Sequence, residues 1–171
     1  MLKLFGICVI FGGILGGIAS WNEDRRRKIC DMVLVEQFVS HAVYRLETEK
    51  VYVAELLEVT GAKSDRLRGT FLDIVAKMKK NDCPYGEQIW TEGWRKHRTE
   101  WNFSEQFLFL VIECQKGLFG DNLRENIDIL KHIREQMQIQ IQEEKAQWRE
   151  KQKVFTPVGI LGGIMIVIIL L

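Results

Sequence analysis

Hydrophobic and polar positions divide this chain into three zones. Leu4 to Trp21 and Val154 to Leu171 are each 18 residues long without a charge. Between them apolar residues recur at helical spacing among many charges. An 18-residue helix rising about 1.5 Å per residue reaches roughly 27 Å, close to the ~30 Å hydrocarbon core of a bilayer. The pattern therefore predicts membrane spans over 1–21 and 154–171, with little tilt, and a polar helical domain over 22–153.

Inside that domain, Met32, Val35, Val39, Ala42 and Leu46 mark the stripe of a long helix. A shorter apolar run, Val51 to Val59, is expected to stop at Thr60-Gly61. Ser64 is placed to cap a helix carrying Leu67, Phe71, Ile74, Val75 and Met78, which Asn81 to Gly86 then breaks. Further helices are expected over Ile89–Thr99 and Phe103–Gln115, followed by a glycine loop. The last helix runs from about Asn122 to Lys153, opened by an Asn122/Glu125 capping box, and is expected to be interrupted near Pro157 before the second span. Gln136 to Ile141 alternates like a strand, but flanks rich in Glu, Lys, Gln and Arg favour helix. The fold expected is all-α: an antiparallel helical bundle on a two-helix transmembrane hairpin.

Charge sets the orientation. Arg25, Arg26, Arg27 and Lys28 follow the first apolar run, and Lys145, Arg149, Lys151 and Lys153 precede the second. Basic flanks tend to stay cytoplasmic, so the domain is expected in the cytoplasm and both termini outside, with Trp21 and Trp148 at the interface. A cleaved leader is the competing reading of the N-terminus, since Gly17-Ile18-Ala19 resembles a small-residue cleavage site.

Both apolar runs contain the hexapeptide GILGGI. Helices associate in lipid through close packing of small residues. Gly12, Gly13, Gly16 and Gly17 in one run, and Gly159, Gly162 and Gly163 in the other, are thus candidates for membrane helix packing. Counted inward from the domain, Gly16 matches Gly159 in depth and Gly13 matches Gly162, so two glycine faces could meet in a hairpin. Glycine is also simply common in membrane helices.

Composition changes the picture mainly by exclusion. Of 24 Lys+Arg only Lys3 lies outside the domain, which carries 23 basic residues against 23 acidic ones. A formally neutral domain argues against a nucleic-acid partner. Cys8, Cys30, Cys83 and Cys114 form no CxxC pair and read as small apolar fillers. His41, His97 and His132 are isolated, and Asp128 with His132 falls short of the paired Glu-x-x-His sets that bind metals in bundles. No P-loop, nucleophile elbow or HExxH is present. Neither catalysis nor a cofactor is expected.

Two stretches are candidate partner sites. Trp90, Trp94, His97 and Trp101 share a helical face, readable as a docking surface flanked by Arg95, Lys96 and Arg98, or as a bulky core face. Gly117-Leu118-Phe119-Gly120-Asp121 precedes a helix whose amide end could receive an anion, although such loops often only connect helices. Phe119 supplies an apolar ring there, and Arg124 and Glu125 rim charges.

The order of parts resembles the stage III sporulation protein AB family: the Met1-Leu2-Lys3-Leu4 start, a span, basic residues, Leu46-Glu47-Thr48-Glu49 closing a long helix, Trp90, a glycine loop, a long polar helix and a Gly-rich closing span. One departure concerns that family's Leu-Gly-x-x-Asp-x-x-x-Gln motif. Counted from Gly120, Leu123 and Ile127 take its two polar positions, while Gly117, Asp121 and Asn126 look like a shifted version.

The resemblance implies a platform or adaptor of the channel linking mother cell and forespore, two-pass in the bacterial cell membrane on the mother-cell side, the outer forespore membrane. It also implies a soluble domain similar to the cytoplasmic domain of type II secretion F proteins. The implied partners are a secretion-type ATPase of the same sporulation assembly and other stage III sporulation membrane proteins, besides membrane lipids. A different class remains open: a membrane-anchored helical tether or sensor acting through coiled-coil dimerisation, unrelated to secretion.

Overall fold

A computed structural model of the chain describes residues 2–48, 52–80 and 85–170, with only part of the side chains in the two apolar ends. Six α-helices and one 3₁₀ turn make up the described residues: α1 (Leu2–Thr48), α2 (Val53–Lys63), α3 (Asp65–Lys79), α4 (Gly86–Lys96), the turn Arg98–Glu100, α5 (Glu105–Leu118) and α6 (Leu123–Leu170). No strand occurs among them, and Gln136–Ile141 lies inside α6. The expected break over 81–84 with Cys83, and Glu49, lie outside the described residues, as do the side chains of Cys8, Gly12, Gly159 and Gly163.

Helix starts follow side-chain capping. Ser64 accepts a hydrogen bond from the Leu67 amide at 3.4 Å, and Ser104 one from the Phe107 amide at 3.2 Å, each satisfying an orphan donor of a first turn. Asn122 accepts from the Arg124 amide at 3.2 Å. Two expected stops are not stops. The α2 helix passes through Thr60-Gly61 to Lys63, because the Thr60 hydroxyl turns back to the Leu56 carbonyl at 2.8 Å and Gly61 is buried in the contact with α3. A Cβ on Gly61 would lie 3.3 Å from the Phe71 Cβ, so this glycine serves close approach. Likewise α6 continues through Pro157; one missing N–H costs a single ladder bond in a 48-residue helix.

The chain divides into two compact units, one of them Cys30–Ile141. Its core collects Met32, Val35, Phe38, Val39 and Ala42 from α1, Leu57 from α2, Leu67, Phe71 and Ile74 from α3, Trp90 and Trp94 from α4, Phe107 and Val111 from α5, and Leu130 and Met137 from α6. Aromatic rings form its centre. Phe38 lies 4.8 Å from Phe71, Trp90 5.7 Å from Trp94, and Trp101 5.3 Å from Phe103, all within the range where ring pairs attract. Gly93 lets α3 and α4 touch: a Cβ there would overlap Cγ1 of the fully buried Ile74.

The other unit is Met1–Ile29 with Gln142–Leu171, so both apolar ends belong to one unit. Lys28 bonds Glu144 at 2.5 Å, Arg25 lies 3.8 Å from the same carboxylate, and the Trp148 indole donates to the Asn22 side chain at 3.0 Å. A Cβ on Gly13, Gly16, Gly17 or Gly162 would meet nothing within 4 Å. Among the described residues no helix is long and apolar enough to cross a membrane.

Candidate functional site

The tryptophan face is core. Trp90 and Trp94 are both 0% exposed, which removes them as docking residues and leaves the bulky-core reading of that face. The Trp90 indole donates to the Val111 carbonyl at 2.8 Å and the Trp101 indole to the Thr70 hydroxyl at 3.1 Å, so both polar edges are satisfied. The Trp94 indole N–H is buried without a hydrogen-bond partner among the described residues. Lys96, on the opposite side of α4, bonds Asp73 at 2.8 Å, and Arg98 pairs with Glu105.

The glycine loop is a packed corner. Gly117 is buried at the last turn of α5, where a Cβ would sit 2.6 Å from Leu130 Cγ and 2.8 Å from the Asn126 carbonyl oxygen of α6. Asn126, also buried, donates from its side chain to the Gly120 carbonyl at 2.7 Å. A Cβ on Gly120 would overlap the Asn126 side-chain oxygen. Phe119 does not project as an apolar ring: it is half-buried against the core, and its ring fills the space beside Gly86, 2.6 Å from where a Cβ would stand. Gly117, Gly120 and Asn126 thus hold α5 against α6, while Asp121, the remaining residue of the shifted motif, and Arg124 remain exposed.

Open surface begins just past this corner. A groove of about 550 Å³ runs between α5 and α6, with Ile129 and Ile133 among its walls and Glu113, Asn122, Arg124, Glu125, Asp128 and His132 around them. A second groove of about 280 Å³ lies on the other side of the same helix, lined by Glu47, Leu123, Arg124, Ile127, Asp128 and Lys131. Arg124 and Asp128 belong to both, so the first two turns of α6 form a ridge between grooves. The apolar residue exposed here is Leu123, at 42%, in place of Phe119. Leu123 is the first residue of α6, where one face is not yet covered by a preceding turn.

The ridge is charged unevenly. Glu113 is tied to Lys116, and Glu47 to Lys131 at 2.5 Å, whereas Glu125 and Asp128 have no ion-pair partner among the described residues. Three titratable groups elsewhere are engaged in packing. Hydrogen bonding to Asp31 holds the Arg66 guanidinium above its ordinary value, against the opposing effect of burial. The Lys96 hydrogen bond, aided by His97, holds Asp73 below the usual carboxylate range although burial opposes it. Burial pushes the Cys114 thiol up, as fits a filler whose sulfur faces the Leu110 carbonyl at 3.4 Å.

No curated protein and no solved structure matches the chain. The stage III sporulation protein AB family matches residues 3–171, nearly the full length. With a match over almost every residue and an all-helical bundle beneath it, the chain belongs to the stage III sporulation protein AB family, whose members act at stage III of sporulation.

Proposed function

We propose that this protein is a non-catalytic membrane platform or adaptor of the mother cell–forespore channel required for endospore formation. It sits as a two-pass protein in the outer forespore membrane, with the helical bundle in the mother-cell cytoplasm. The observation that carries the reading is that both uncharged ends fall in one compact unit, tied at its polar edge by Lys28–Glu144 and Trp148–Asn22. Two apolar runs of span length with eight basic residues on the connecting side suit a hairpin inserted from the cytoplasm.

The bundle offers grooves and a charged ridge where an enzyme would have convergent reacting groups. Such a surface suits docking. In this reading the partners are a secretion-type ATPase of the same assembly and other stage III sporulation membrane proteins. Affinity purification of the tagged full chain from sporulating cells tests it. The protein should resist alkaline extraction from membranes and bring the ATPase with it; release by alkali, or its absence from the ATPase complex, would overturn the proposal.

A further inference from the structure

The outer face of α3 carries a short apolar strip. Gly69, Leu72 and Ala76 are exposed in a line at helical spacing, Leu72 at 46%, and a Cβ on Gly69 would meet nothing within 4 Å. One large apolar knob thus stands between two small residues that allow close approach. Arg68 and Lys80 flank the strip, and neither has an ion-pair partner among the described residues. The groove between α5 and α6 is the inverse. It has an apolar floor of Ile129 and Ile133 and unpaired acids, Glu125 and Asp128, along its edge. The order of sign also corresponds: Asp65 precedes Arg68 on the strip, and Arg124 precedes Asp128 on the ridge.

We propose that the α3 strip of one copy docks in the α5–α6 groove of a second copy of this chain, with Leu72 over Ile129 and Ile133 and Arg68 against the Glu125–Asp128 edge. The α3 strip and the α5–α6 groove are different surfaces within the same unit. Every copy carries both, so association either closes as a two-fold pair with two such contacts or continues head to tail. Desolvated opposite charges at such a rim act mainly on partner choice and association rate, while the Leu72 knob supplies the buried apolar area. The contact does not depend on whether the ends span a membrane.

Charge reversal with complementation tests it on the purified full chain in detergent, with the protein mass read by light scattering against the 20.0 kDa of one chain. Wild type should exceed one chain in a concentration-dependent way. Arg68→Glu with Lys80→Glu, and separately Glu125→Lys with Asp128→Lys, should each weaken self-association at least tenfold while circular dichroism stays unchanged. An equimolar mixture of the two variants should recover it, because each reversed strip meets a reversed groove. A wild type that stays at one chain, variants that associate as well as wild type, or folded variants that fail to complement would each overturn the proposal.

Discussion

Arg66 on α3 grips Asp31 on α1 through two parallel hydrogen bonds, Nε to Oδ1 at 3.1 Å and Nη2 to Oδ2 at 2.9 Å. The same guanidinium donates to the Glu100 carbonyl at 2.8 Å and lies 5.0 Å from the centre of the Trp101 ring. One side chain therefore ties α1, α3 and the 3₁₀ turn around a carboxylate that is only 5% exposed. Arg66→Ala should cost about 1–3 kcal/mol, because the Asp31 carboxylate is left buried without its donor. Adding Asp31→Asn should cost less than the sum of the two single changes, read as non-additive denaturant midpoints.

Trp90 is the next test, of packing without charge. It touches Phe38, Phe71 and Trp94 and its indole N–H is bonded. Trp90→Ala should destabilise the domain by roughly 3–5 kcal/mol, lowering the melting temperature before any loss of binding. An unchanged melting temperature with lost partner binding would return this residue to the surface.

Gly117 gives the sharper contrast between a corner and a docking loop. Gly117→Ala should lower stability by about 1–3 kcal/mol through overpacking against Leu130 and the Asn126 carbonyl. Arg124→Glu, seven positions on and on the exposed ridge of α6, should leave stability within about 0.5 kcal/mol. Both are read by denaturant unfolding.

Acid sensitivity follows from Asp73. Its folded-state value lies below that of the unfolded chain, chiefly through the Lys96 hydrogen bond, so its contribution is present above the ordinary carboxylate range and is lost as pH falls through the depressed value. The Lys96 side chain is 60% exposed, so solvent screening keeps the effect below about 1 kcal/mol. Asp73→Asn should therefore be slightly less stable than wild type at pH 7 and equal to it near pH 2, with the gap at pH 7 narrowed by high salt.

The helical class, the Ser64 cap and the core stripe of α1 were legible in the sequence because each rests on local spacing or a single capping atom. The extension of α2 through Gly61 was not, since it depends on how closely Phe71 approaches from another helix. The same limit applies to the candidate site. A glycine at 117 reads as loop until Asn126 and Leu130, nine and thirteen positions along the chain, are seen against it. Phe119 reads as exposed because a turn hides its partner, Gly86, 33 positions earlier. Ser104, the cap of α5, was missed although Ser before Glu105 is a capping signal of the kind used at Ser64.

The central claim is a two-pass platform with its bundle in the cytoplasm, and topology reporters fused after Leu171 test it most directly. Alkaline phosphatase at that position should be active and a fluorescent protein that folds only in the cytoplasm should stay dark, because eight basic residues lie on the connecting side of the two apolar runs. A bright cytoplasmic reporter with inactive phosphatase at Leu171 would contradict the account.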